Sequence, residues 1–430
     1  MSTYIVEGGF PIKGTVRAAG NKNAALPCIA ATLLTDEPVL LKNVPDIEDV
    51  RVMLSILSEL GAEVKKVGQG EYSLRASDIK TVEIPTEHAR DIRASVLFAG
   101  PLLARMGKVI LPPPGGDVIG RRRLDTHFLA FTELGARVDM DGFFKLQANK
   151  LVGANIFLDE ASVTATENAV MASVLAEGRT VIENAASEPH VQDLCRMLCA
   201  MGASITGIGS NILVIEGVKK LIGTEFKLGS DFMEVGSYIG LAAVTHGDLT
   251  IEDACPENLR MTKLAFAKLG IHWETEGSTI RIPPSQKLEV VSDMGGMIPK
   301  IDDAPWPGFP ADLMSIITVV ATQVNGTVLL HEKLFESRMF FVDKLIAMGA
   351  RIILCDPHRA VISGPSHLRG GSLVSPDVRA GMAMVIASLC AGGKSTIQNV
   401  YQIERGYEDL AGKLASLGAH IKRIEDCEKQ

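Results

Sequence analysis

A chain of 430 residues is too long for one ordinary core and calls for two or three domains. Its formal net charge of −8 argues against general binding to nucleic acid or to anionic membranes, so any anion site must be a local basic pocket in an acidic protein. The opening Met1-Ser2-Thr3-Tyr4-Ile5-Val6-Glu7 has no basic segment followed by an apolar run, and no apolar stretch reaches membrane-spanning length, so no signal peptide or membrane insertion is expected and the protein reads as cytoplasmic.

In chain order, an opening strand is expected near residues 4–7, followed by Gly20-Asn21-Lys22-Asn23 and a helix that is apolar nearly all round. Such helices recur at 23–34, 93–106, 167–177, 234–245, 312–324 and 379–391, and a helix without a polar face belongs inside a core. Each is followed by a short strand, at 39–41, 108–111, 180–182, 249–251, 327–330 and 395–397. Amphipathic segments such as 46–60, 188–201 and 404–417 come next, closed by a recurring mark: Leu60-Gly61-Ala62, Leu134-Gly135-Ala136, Met201-Gly202-Ala203, Leu269-Gly270-Ile271, Met348-Gly349-Ala350 and Leu417-Gly418-Ala419. A β-rich pair follows, as at 204–207 and 212–216. Self-similarity at a period near 70 residues sets the architecture. The expected fold is α/β, with six βαβαββ-type units, three per lobe, each lobe wrapping strands and outer helices around three apolar helices. The first lobe is placed at 21–229 and the second at 1–20 plus 230–430, with the active site in the cleft between them.

The run Pro112-Pro113-Pro114-Gly115-Gly116-Asp117-Val118-Ile119-Gly120-Arg121-Arg122-Arg123-Leu124-Asp125-Thr126-His127 places one carboxylate among glycine joints, directly before three guanidinium groups. It reads as a lid that closes over an anionic substrate; a solvated turn with basic decoration is the other reading of such a loop. Polar residues also open the apolar helices: Lys22, Asn23, Arg93, Asp312 and Arg379. Arg122, Arg338 and Arg405 are expected near the starts of outer helices, where arginine opposes the helix dipole and an anionic ligand supplies a reason for it. Gly392-Gly393-Lys394-Ser395-Thr396 resembles the end of a phosphate-binding loop, but Ser388 stands where glycine is required and the order is helix to strand. No dinucleotide fingerprint is present, the histidines lack ligand spacing, and Cys195 and Cys199 have no neighbouring ligand pair, so neither cofactor nor metal is expected.

Gly20-Asn21-Lys22-Asn23-Ala24-Ala25-Leu26-Pro27, the Pro-Gly-Gly-Asp lid and Ile403-Glu404-Arg405-Gly406-Tyr407-Glu408 together resemble the UDP-N-acetylglucosamine 1-carboxyvinyltransferases, an enolpyruvyl transferase family of peptidoglycan synthesis. Arg93-Ala94-Ser95, Ser162-Val163, Phe309-Pro310-Ala311-Asp312, Phe335-Glu336-Ser337-Arg338 and Asp377-Val378-Arg379-Ala380 extend the resemblance over essentially the whole chain. It implies a two-lobed inside-out α/β barrel and addition of a sugar 3′-hydroxyl to phosphoenolpyruvate, followed by loss of phosphate. On the matching positions, Asp117 protonates C3 and Asp312 takes the hydroxyl proton. Lys22, Arg122, Arg338, Arg379 and Arg405 hold the phosphate and carboxylate, with Lys22 and Arg405 counted as catalytic. Asn23, Arg93, Arg122, Arg123, Leu124, Asp125, Thr126, Ser162, Val163, Asp312 and Leu334 hold the UDP-sugar. The implied partners are phosphoenolpyruvate and UDP-N-acetylglucosamine, with no nucleic acid and no obligate protein partner.

The chain departs from this family at the lid, where Asp117 replaces the usual cysteine and implies insensitivity to fosfomycin. Phe232 replaces a usual arginine, Thr164 a usual glycine, and Arg121 and Arg123 add charge; these bear on sugar specificity rather than on reaction class. Two alternatives are a 3-phosphoshikimate 1-carboxyvinyltransferase, against which Asn23 and Asp117 argue, and a retired nucleotide-sugar-binding paralogue, against which Lys22, Asp117 and Asp312 argue.

Overall fold

The computed structural model describes residues 2–116, 120 and 123–425. They form two compact units: one holds the chain up to Ala19 and from Ser230 onward, together with Gly120, and the other holds the rest of 20–229. Each has its own apolar core.

In the unit built from both ends of the chain, helices Phe232–Val244, Met314–Thr322 and Val378–Cys390 pack on one another. Every residue of the first two is buried, as their lack of a polar face requires. In the other unit, Ala99–Met106 packs on Val163–Ser173, and Lys22–Ala31 packs on the tight helical turn Arg93–Phe98. Residues 93–106 are therefore two elements, a 3-10 turn and an α-helix, rather than the single helix expected. Residues 404–417 also divide, into Tyr401–Glu404 and Leu410–Ser416.

Six small sheets surround these helices, five of four strands and one of three among the described residues. In the five four-stranded sheets, the strand after the apolar helix pairs antiparallel with one partner and parallel with a short strand on its other side; in the three-stranded sheet, Lys108–Leu111 has a single parallel bridge, Ile110 to Glu83, in that place. Val39–Lys42, for example, lies antiparallel to Glu71–Arg75 and parallel to Glu225–Lys227. The last sheet departs from the repeat. Its order is Ser372–Val374, Lys394–Gln398, Ser2–Glu7, His420–Glu425, so the first strand of the chain occupies the place that a second hairpin strand fills elsewhere. The sixth unit is thus closed by the chain's opening strand, with Tyr4 opposite Ile397. At the recurring marks, Gly61, Gly135, Gly202, Gly270, Gly349 and Gly418 all take φ between +73° and +108°, the left-handed geometry that ends a helix and turns the chain into the next strand.

Candidate active site

The candidate residues Lys22, Asn23 and Arg379 stand where apolar helices begin, and capping explains how polar side chains are held there. Asn21 caps Lys22–Ala31, accepting from Asn23 N at 2.8 Å and Ala24 N at 3.2 Å. Asp377 caps Val378–Cys390 through Arg379 N at 2.8 Å and Ala380 N at 2.9 Å, and Asp231 caps Phe232–Val244 through Met233 N and Glu234 N. These carboxylates offset the positive helix end beside which Arg379 sits.

Within the unit built from both chain ends, Asp312 is held by two guanidinium groups. Arg338 Nη2 lies 3.0 Å from one carboxylate oxygen and Arg379 Nε 3.0 Å from the other. Both arginines are 5 % exposed, whereas the Asp312 side chain is 27 % exposed. Arg338 Nη1 also donates to Ala311 O at 3.3 Å, and the two guanidinium groups lie over the rings of Phe335 and Tyr407. Burial opposes the Arg379 charge, but Tyr407, Asp312 and Asp231 outweigh it and hold the group protonated. Arg338 Nε and Arg379 Nη1 are buried donors with no acceptor among the described residues. A buried guanidinium N–H without a partner is costly, and a bound anion would satisfy it.

Arg405 is 7 % exposed, with Nη1 3.5 Å from Gln402 Oε1 and its guanidinium over Tyr401. It follows Tyr401–Glu404 as that helix's C-cap, so the expectation that it opens an outer helix is corrected. There the helix dipole favours its charge and no dipole argument for an anion is needed. Leu334 is 42 % exposed and is held by its backbone N–H.

In the other unit, Lys22 Nζ lies 2.5 Å from Asp49 Oδ2, both side chains being largely buried. A second cluster gathers around Asp159: Arg123 Nη2 donates to it at 3.1 Å and Thr126 Oγ1 at 2.7 Å, while Arg123 Nε reaches Asp125 at 3.0 Å. Arg93 Nη2 donates to Arg123 O at 3.0 Å. Ser162 caps the helix that Val163 opens, accepting from Ala165 N at 3.4 Å. His127 fastens the two segments together. Asn168 Nδ2 donates to His127 Nδ1 at 2.9 Å, which places the ring proton on Nε2, 3.2 Å from Thr164 Oγ1. Burial, aided by Arg93, depresses this imidazole to about 3 and keeps it neutral. Gly115 is fixed by close approach, since a Cβ there would lie 1.7 Å from Arg90 O. Asp117 and Arg122 lie outside the described residues.

The structure thus joins Asp312, Arg338 and Arg379 directly, and Arg93 with Arg123, Asp125 and Thr126. Sequence reading missed Asp49 and Asp159, because a carboxylate in a first turn or a loop carries no signal of its partner. Phe232 is buried against Trp306, with ring centroids 5.8 Å apart. Among the described residues no cluster of three or more His, Cys, Asp or Glu is placed to hold a metal ion, and no helix is long and apolar enough to cross a membrane.

Residues 6–414 match the sequence model of the family described as EPSP synthase (3-phosphoshikimate 1-carboxyvinyltransferase). The chain is 67 % identical over 425 residues to the UDP-N-acetylglucosamine 1-carboxyvinyltransferase of Treponema denticola, covering 99 % of this chain and 100 % of that protein. It is 66 % identical to the enzyme of the same name from Treponema pallidum, over 98 % and 99 % of the two chains. The crystal structure of the enolpyruvyl transferase NikO from Streptomyces tendae superposes with a TM-score of 0.87 at 23 % identity, over 98 % of this chain and 99 % of that one, which shows a shared fold. On fold, length and sequence together, the chain belongs to the EPSP synthase family of enolpyruvyl transferases, among the relatives named UDP-N-acetylglucosamine 1-carboxyvinyltransferase.

Proposed function

We propose that this protein transfers the enolpyruvyl group of phosphoenolpyruvate to the 3′-hydroxyl of UDP-N-acetylglucosamine, with release of phosphate, as a cytoplasmic step of peptidoglycan synthesis. The observation that carries the reading is the Asp312–Arg338–Arg379 cluster, a base candidate whose two cations each keep a buried, unanswered N–H. In the addition, Asp312 accepts the hydroxyl proton, the sugar oxygen bonds to C2, and C3 gains a proton from Asp117, the aspartate variant of the lid. In the elimination, C3 returns a proton to the carboxylate that Asp117 became in the first step, the C2–O bond to phosphate breaks with its electron pair leaving on phosphate, and the double bond re-forms. Arg338, Arg379, Lys22, Arg122 and Arg405 balance the phosphate and carboxylate charge that persists through both steps. Asn23, Arg93, Arg123, Leu124, Asp125, Thr126, Ser162, Val163 and Leu334 hold the sugar nucleotide. This reading requires neither cofactor nor protein partner.

The family model's own description names the 3-phosphoshikimate enzyme, so the test sets the two acceptors side by side. Phosphate release from phosphoenolpyruvate is measured with UDP-N-acetylglucosamine and with shikimate 3-phosphate. Release with the sugar nucleotide alone is expected; release with shikimate 3-phosphate alone would overturn the reading, and release with neither would favour a retired paralogue.

A further inference from the structure

The parallel pairing of Lys300–Asp302 with Gly326–His331 sets Asp302 opposite His331, so the next residues, Asp303 and Glu332, emerge side by side. Both are 0 % exposed. The segment leading to Arg338 turns around their carboxyl groups. Asp303 accepts Lys333 N–H at 2.5 Å and Leu334 N–H at 3.3 Å, one on each oxygen. Glu332 Oε1 accepts Leu334 N–H at 3.3 Å and Phe335 N–H at 3.1 Å. The fourth oxygen, Glu332 Oε2, is buried and is reached by no N–H or O–H among the described residues. The Leu334 N–H is shared, 3.3 Å from an oxygen of each carboxyl, and this common donor brings the Asp303 and Glu332 carboxyl groups together. Two carboxyl oxygens are joined only if one of them carries a proton.

We propose that Asp303 and Glu332 share one proton, and that this singly charged pair is the positioning device that holds the Leu334 backbone and the Arg338 guanidinium ready for substrate. The inference rests on the proposed function in taking Leu334 and Arg338 as substrate contacts. Burial and the bond to Asp303 push Glu332 up to about 9, with Arg338 pulling the other way. The charged groups around the pair are few. Arg338 faces Glu332 from the helical turn Arg338–Phe341, and Lys333 turns outward to Asp302. His358, from the turn before Arg359–Gly364, meets the Glu332 backbone, with Nδ1 2.8 Å from Glu332 O. Loss of the shared proton leaves two buried charges with Arg338 as the near cation, which draws Arg338 away from Asp312 and loosens the amides bound to the carboxyls.

The test compares the unmodified protein with E332Q and E332A from pH 7 to 10. Glutamine reproduces the protonated form, because its carbonyl keeps the Leu334 and Phe335 bonds and its amide donates to Asp303. E332Q is expected to keep neutral-pH kcat/KM within about threefold and to lose the alkaline fall, whereas the unmodified protein shows a rising KM for UDP-N-acetylglucosamine as pH passes about 9. E332A is expected to raise that KM about tenfold at every pH, as loss of positioning bonds does. Independently of turnover, the amide resonances of Lys333, Leu334 and Phe335 are expected to move together near pH 9 in the unmodified protein and to stay in place in E332Q. Amide resonances that titrate alike in both proteins would overturn the shared proton. Resonances that behave as expected in proteins that release no phosphate would retain the pair and remove the functional reading.

Discussion

Replacing Asp312 with asparagine separates the two roles of the site, because the change is nearly isosteric and removes one charge between two guanidinium groups. Breaking a fully buried ion pair costs about 3–5 kcal/mol. The Asp312 side chain is 27 % exposed, and asparagine keeps one acceptor for Arg338 or Arg379, so the loss of stability is set at about 1–2 kcal/mol. A general base contributes about 100-fold or more, so kcat is expected to fall by at least that factor while the chain still folds. The same substitution removes the carboxylate that both buried guanidinium groups share, so D312N is expected to bind inorganic phosphate more tightly than the unmodified protein. At phosphate tenfold above its Kd, the added stability is about 1.4 kcal/mol, readable as a shift in the urea midpoint. The assays are steady-state phosphate release and urea unfolding with and without phosphate. Turnover within tenfold of the unmodified enzyme would remove Asp312 as the base, and equal phosphate stabilisation of the two proteins would refute the charge argument.

Arg379→Lys keeps the charge but loses the Nε bond to Asp312 and the stacking on Tyr407, so kcat/KM is expected to fall about 100-fold or more; a loss under fivefold in steady-state assays would show that the planar fork is not used. Asp117 presents a carboxylate, a weak nucleophile toward an epoxide, and the Cys28 thiol is fully buried and pushed well up, so the unmodified enzyme is expected to resist fosfomycin while Asp117→Cys becomes sensitive to time-dependent inactivation and stays active. Asp117→Ala is expected to lose most turnover, and a fosfomycin adduct mapped to any cysteine of the unmodified protein would contradict the reasoning. His127 has a folded pKa of about 3 against an ordinary 6.5, so the folded state binds fewer protons between these values. Stability from this group is therefore present above pH 6.5 and lost as pH falls toward 3, on the order of 5 kcal/mol in all. Urea unfolding from pH 7 to 4 is expected to be less steep in pH for His127→Asn, and parallel curves would exclude His127 as the cause.

Much of the fold was legible because its unit repeats. The glycine marks report a backbone requirement, positive φ, that few other residues meet, and the apolar helices report burial on every side. The parallel edge strands were not legible, since Glu225–Lys227 and Asn155–Phe157 are three residues long and too short to show a period. The place of Ser2–Glu7 in the last sheet depends on a pairing across almost the whole chain, which no local pattern encodes. Within the site, helix-start cations were legible by position, and their direct partners Asp49 and Asp159 were not. Arg405 was misplaced because the apolar spacing of 404–417 runs through a break, where Asp409 takes φ +42° and restarts the helix.

A protein with net charge −8 can keep buried cations for an anionic substrate only if each is held in place before the substrate arrives. Here carboxylates do the holding: Asp49 on Lys22, Asp312 on Arg338 and Arg379, and the caps Asp231 and Asp377 at the helix starts. Such partners weaken the pull of the site on any passing anion, because part of each cation's capacity is already used. They also fix direction. The donors left over, Arg338 Nε and Arg379 Nη1, are set by the bonds their own guanidinium groups already make to Asp312. Under the proposed reading, selectivity comes from geometry more than from charge: phosphoenolpyruvate must reach both leftover donors while the acceptor sugar presents its hydroxyl to Asp312, and free phosphate, which meets the first demand alone, binds without reacting.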